Sequence, residues 1–182
     1  MENKKYNLIP IKATEISDNP IELFSKDFAV IAAGNREKFN ELLVSWGALG
    51  TSWGNGLPLA IVFVSPDRYT HEFIERCPTF SINIFPPELK KDIMFFGTHT
   101  GRDIDKVACT GLVTDFTESG TPVFPQARLI LECKKLYSHN LDKTRFSQIL
   151  TDCYNNPILK GQTPHTVYFA EIINCWEKEK NK

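Results

Sequence analysis

The sequence predicts a mainly β fold, an antiparallel barrel with helices on its periphery. Runs of strand length recur along the chain, at residues 28–33, 59–64, 79–85, 127–135 and 166–176. The helix signals between them do not follow strict βαβ alternation, and the strands are joined by both turns and helices, which disfavours a doubly wound parallel sheet.

Phe28-Ala29-Val30-Ile31-Ala32-Ala33, ended by Gly34-Asn35, reads as a first buried strand. Leu57-Pro58 introduces Leu59-Ala60-Ile61-Val62-Phe63-Val64, an unbroken apolar run rich in branched residues. Thr79-Phe80-Ser81-Ile82-Asn83-Ile84-Phe85 alternates with period two, so one face is expected in the core while Ser81 and Asn83 share the other. Ser65 is placed to cap a helix starting at Pro66, where a missing N–H costs nothing, with Tyr69, Phe73 and Ile74 on one face. A second helix is expected from Pro86-Pro87-Glu88, carrying Leu89, Ile93 and Phe96, and a third over residues 144–154.

At 182 residues, 42% hydrophobic and 12% aromatic, the chain fits one domain with a real core, residues 25–177 forming the barrel and short extensions flanking it. A net charge of −1 gives no surplus of cations for nucleic acid or an anionic membrane, so any anion site must be local. The start, Met1-Glu2-Asn3-Lys4-Lys5, leads into no apolar segment of signal length, and no run approaches the roughly 20 residues of a membrane span; a cytoplasmic location is expected. The five cysteines (77, 109, 133, 153, 175) form no CxxC pair and are expected reduced and mostly buried. With four scattered histidines they make no zinc spacing, and no metal is expected.

Three stretches have the composition of a ligand site. Ser65-Pro66-Asp67-Arg68-Tyr69-Thr70 joins a strand to a helix start, where free N–H groups, the Arg68 fork and the Thr70 hydroxyl suit a phosphate; an ordinary capped helix with a surface arginine has the same residues. Thr98-His99-Thr100-Gly101-Arg102-Asp103-Ile104-Asp105-Lys106 offers hydroxyls, a permissive glycine and cations one helical turn apart, or else a short helix with Arg102 and Lys106 paired to Asp103 and Asp105. Ser45-Trp46-Gly47-Ala48-Leu49-Gly50-Thr51-Ser52-Trp53-Gly54 reads as a glycine-rich turn able to approach a planar ring, or as core tryptophans beside a turn.

In this order, the Ser-Trp-Gly turn, the Arg-Tyr-Thr helix start, the Ser-x-Asn-x-Phe strand and the Gly-Arg-Asp-x-Asp-Lys segment resemble the flavin reductase-like family, the flavoredoxin-type FMN-binding split barrels. The resemblance covers residues 25 to 177 and includes His165-Thr166-Val167-Tyr168-Phe169-Ala170-Glu171-Ile172 as the family's last strand. It implies an antiparallel split β-barrel in which Ser45, Trp46 and Gly47 lie against the isoalloxazine, Arg68, Tyr69 and Thr70 approach the phosphate, and Asn83 lies near the flavin. Thr100, Gly101, Arg102, Asp103, Asp105 and Lys106 match the family's Ser-Gly-Arg-Asp-x-Asp-Lys, with threonine for serine.

The resemblance further implies a homodimer with FMN at or near the subunit interface, and NAD(P)H as the co-substrate of a flavin reductase. Leu42-Leu43 stands where the family has Met-Thr, so one hydroxyl able to reach the flavin is missing. If FMN is bound the flavin carries the chemistry, which fits a chain with no recognisable triad, and without a GxGxxG fingerprint any NAD(P)H binds transiently. His71 and His99 lie in or beside the phosphate segments and suit a cofactor contact, proton transfer or a structural place alike. A flavoredoxin-type electron carrier between protein partners and a non-enzymatic ligand-binding barrel are the alternative functions.

Overall fold

The computed structural model describes residues 6–52 and 56–179; Trp53, Gly54 and the first five residues lie outside them. Ten strands and four α-helices follow one another as β1 (Leu8–Pro10), α1 (Pro20–Ser25), β2 (Ala29–Gly34), β3 (Phe39–Val44), β4 (Gly47–Ser52), β5 (Leu57–Val64), α2 (Tyr69–Arg76), β6 (Thr79–Ile84), α3 (Lys90–Thr98), β7 (Asp115–Phe116), β8 (Pro122–Val123), β9 (Leu129–Asn140), α4 (Gln148–Asn155) and β10 (Thr166–Lys178).

One antiparallel sheet runs β3-β2-β6-β9-β10-β5-β4, with β1 added to the far end of β10, and β7 and β8 pair separately. Its two edges, β3 and β4, are successive in the chain and separated by Ser45 and Trp46. The sheet therefore curls into a barrel left unpaired along one seam, a split barrel. Register shifts along the β9–β10 pair let these long strands coil.

β2 explains the layering. All six residues are buried because each face has its own cover. Ala29, Ile31 and Ala33 point into the barrel with Leu23, Phe24, Ile82 and Leu131, while Val30 and Ala32 point outward beneath Ile93, Phe96 and Phe124. Each large side chain so buried contributes about 1.5–3 kcal/mol relative to exposure. The hairpin into β3 turns at Gly34, whose φ of +133° and close approach to Phe39 exclude a side chain, and the Asn35 side chain accepts from the N–H groups of Glu37 and Lys38.

Several expectations change. The helix after β5 starts at Tyr69, because Ser65 to Arg68 form a turn closed by Arg68 N–H to Ser65 C=O at 3.0 Å. Residues 47–52, read as a glycine-rich turn, are an edge strand paired along β5. Ser81 and Asn83 are both fully buried, since the segment around β8 covers their face. Of the five free thiols only Cys133 and Cys175 are buried; Cys109 and Cys153 are exposed.

Candidate functional site

Two clefts open along the seam and share the wall formed by Leu42, Leu43 and Arg68. One, of about 190 Å³, lies between β3, the start of α2 and the end of α3, and is polar. The other, of about 390 Å³, lies against Trp46 and Phe63 under the segment after α4, and is mostly apolar.

The polar cleft gathers Arg68, Tyr69, Thr70, Thr100, Gly101 and Lys106 from two separate stretches. Among the described residues the Arg68 guanidinium has no ion-pair or hydrogen-bond partner, leaving a planar, permanent cation exposed at the junction of the clefts. Thr70 is buried, and its hydroxyl accepts from Asn40 Nδ2 at 2.6 Å, which leaves its proton free to donate. Gly101 is required by the same asparagine, since a Cβ there would collide with Asn40 Oδ1. Asn40 thus joins the helix start to the 100-loop.

The two cations expected one helical turn apart diverge, because residues 101–106 form turns rather than a helix. Arg102 pairs with Glu72 at 2.6 Å and lies 4.4 Å from the Tyr69 ring centroid, outside the polar cleft. Lys106 is buried against Glu41, not paired to Asp103 or Asp105. His99 lines the polar cleft, stacked on Phe95, while His71 bonds Thr166 and lines neither cleft.

In the apolar cleft Ser45 is exposed and Trp46 is set by rings on several sides, Phe63, Tyr154 and His165, the last at 4.8 Å. Gly47 lines neither cleft; a Cβ on it would strike the Phe24 ring, so its place here is packing between β4 and α1. Asn83 is also away from both clefts. It donates to Val30 C=O and Ser81 Oγ and accepts from Phe124 N–H, which satisfies it within the outer layer.

Sequence reasoning did not find Asn40, Glu41, Tyr154 or the role of His165. A signal for the first two was present: adjacent polar residues inside a strand cannot both face solvent. His165 N–H donates to the Tyr154 hydroxyl at 3.0 Å, and the same hydroxyl shares a 2.7 Å hydrogen bond with His165 Nδ1, so the ring is fixed in place by its own backbone's partner. Burial, reinforced by Arg68, lowers the His165 pKa and keeps the ring neutral. The segment over the cleft is tied down by Asp67, whose carboxylate accepts from Thr163 N–H and hydroxyl, both at 2.9 Å.

The site therefore joins an apolar slot to a polar end with one unpaired arginine, which fits a flat apolar body carrying an anionic tail. Among the described residues no group of His, Cys, Asp and Glu is placed to hold a metal ion, and no helix is long and apolar enough to cross a membrane.

A family model described as the flavin reductase like domain matches residues 22–182. No curated protein matches the chain. Among solved structures, the chain is similar to flavoredoxin from Methanosarcina acetivorans, at 20% identity and TM-score 0.64, over 84% of this chain and 69% of that one. It is also similar to the FMN-binding protein from Thermus thermophilus with bound p-hydroxybenzaldehyde (22%, TM-score 0.64, 90% and 80%) and to an NADH:FAD oxidoreductase from Streptomyces globisporus (17%, TM-score 0.61, 83% and 74%).

Proposed function

Because the chain belongs to the flavin reductase-like family, we propose that it is an FMN-binding oxidoreductase that takes electrons from NAD(P)H and passes them to an acceptor. The observation that carries this reading is the meeting of the two clefts at Leu42, Leu43 and Arg68. The unpaired Arg68 on that wall supports a phosphorylated ring ligand whose chain crosses from the apolar slot to the polar end.

Bound flavin supplies the redox chemistry, hydride in from a nicotinamide and electrons out to an acceptor. The protein's part is placement. Arg68 and the Thr70 hydroxyl hold the phosphate with the loop at Thr100 and Gly101, and Leu42, Leu43 and Trp46 exclude water from the ring slot. The neutral His165 ring lines the wall of that slot.

A homodimer belongs to the same proposal. Ile61, Phe169 and Tyr137 lie opposite one another across β5, β10 and β9, and Phe63, two residues from Ile61 on that face, also walls the ring slot. A second copy covering this stripe would abut the flavin. The exposed thiols of Cys109 and Cys153, both free, support a reducing compartment, the cytoplasm.

The absorption spectrum of the protein reconstituted with FMN, before and after anaerobic NADH or NADPH, tests the function. Bleaching of the flavin band supports a reductase, and a yellow protein indifferent to both nucleotides would favour an electron carrier between proteins. A protein with no FMN affinity would sink both.

A further inference from the structure

The floor of the polar cleft carries a buried ion pair that the reading above does not use. Glu41 and Lys106 are each 3% exposed and both line the cleft, with Lys106 Nζ 3.4 Å from Glu41 Oε1. The hydrogen bonds of the ammonium go to main-chain carbonyls, those of Glu41 and, at 3.5 Å, Phe96, and the centroid of the Phe96 ring lies 5.5 Å away. These bonds do not depend on the charge of the carboxylate, although burial lowers the Lys106 pKa and the Glu41 charge opposes that lowering.

The charge count of the cleft makes this matter. Its wall bears Arg68 and Lys106 against Asp67 and Glu41, and Arg102 is engaged by Glu72 outside it. With all four ionised these charges cancel. A phosphate monoester brings about −1.5 to −2, so one wall carboxylate opposes it. Asp67 keeps its charge, because it is exposed and its bonds from Thr163 lower its pKa. Glu41 is the group able to yield: burial raises its pKa against the pull of Lys106, and nearby Asp105 adds to the rise. The other charged groups about it are Asp67 and Arg68 across the polar cleft and, in the shallow cleft on its other side, Glu37, Lys38, Arg102 and Asp103; His99 lines the polar cleft, and Ala32, opposite on β2, brings no charge.

We propose, resting on the FMN reading, that Glu41 is a specificity-determining residue for the phosphate, a phosphate monoester entering the cleft together with one proton from solvent that its carboxylate takes up. The phosphorylated flavin then binds more weakly as pH rises, while the unphosphorylated flavin is indifferent to this group. The titration of the phosphate itself acts in the opposite sense, since binding the dianion releases a proton.

The test is calorimetry of the full chain with FMN and with riboflavin, each in two buffers of different ionisation enthalpy, on the unmodified protein, Glu41→Gln and His99→Asn. Proton uptake is expected with FMN in the unmodified protein and in His99→Asn, and not with riboflavin. Glu41→Gln loses the uptake, and as pH rises the FMN Kd of the unmodified protein rises relative to it by up to tenfold per pH unit. Uptake that survives in Glu41→Gln, disappears in His99→Asn, or is absent from the unmodified protein overturns the proposal while the FMN reading stands. If neither flavin binds, the FMN reading fails and takes this inference with it. Should Glu41→Gln not fold, since it strands the buried lysine, the FMN–riboflavin contrast and His99→Asn decide the matter.

Discussion

Asp67 and Thr163 are joined by two 2.9 Å hydrogen bonds across 96 residues of chain, and this link ties the segment over the apolar cleft to the turn that carries Arg68. The two clefts are thus mechanically connected. Asp67→Asn is expected to speed amide hydrogen exchange across residues 156–163 while leaving β9 and β10 unaffected. The same link predicts a pH effect. The folded pKa of Asp67 is lowered, so the stabilisation is present above the unfolded value, about 3.9, and is lost as pH falls through the folded one. Exchange in this segment should rise first on acidification, and uniform exchange would remove the latch from the picture.

Arg68→Ala is expected to weaken FMN binding by about 1.5–3 kcal/mol, roughly ten- to a hundredfold, while riboflavin affinity stays the same. Fluorescence titration with both flavins measures it. Equal losses would mean that Arg68 faces the ring and not the phosphate.

Leu43→Thr supplies the hydroxyl that the family resemblance implies at this position. FMN affinity should rise by up to about tenfold, because one net hydrogen bond is worth about 0.5–1.5 kcal/mol. Leu43 also packs on Gly97, with 3.1 Å between its Cδ2 and the place a Cβ would take there. The variant should therefore lose about 1–2 kcal/mol of folding stability by urea denaturation.

Gly47→Ala separates packing from ligand contact. The added methyl meets the Phe24 ring, so stability should fall by about 1–3 kcal/mol. FMN affinity of the folded fraction should be unchanged; a selective loss of affinity in a fully stable protein would return Gly47 to the ring site.

Much of this was legible in the sequence. The apolar runs gave β2, β5, β6, β9 and β10, because buried strands must be apolar on one or both faces. β4 was not legible, since glycines and small hydroxyls at residues 47–52 have turn composition and only their pairing with β5 makes a strand of them. Arg68, Tyr69, Thr70, Thr100, Gly101 and Lys106, singled out in two motifs, line one cleft. Asn83 and Arg102 do not, because each is claimed by a partner distant in sequence, Val30, Phe124 and Glu72 among them, which no local spacing reveals. Glu41 is silent for the same reason, as its cation lies 65 residues further on.

The joint at Ser45 and Trp46 has a last consequence. The outermost strands of the sheet are neighbours in the chain but have five strands between them in space, so the barrel cannot widen anywhere without loading this two-residue tether. A ligand seated against Trp46 acts as a wedge in that seam. Filling it and bracing the whole circumference become one mechanical event, so occupancy should be felt by β3 and β4 together, although no backbone hydrogen bond connects them as strands.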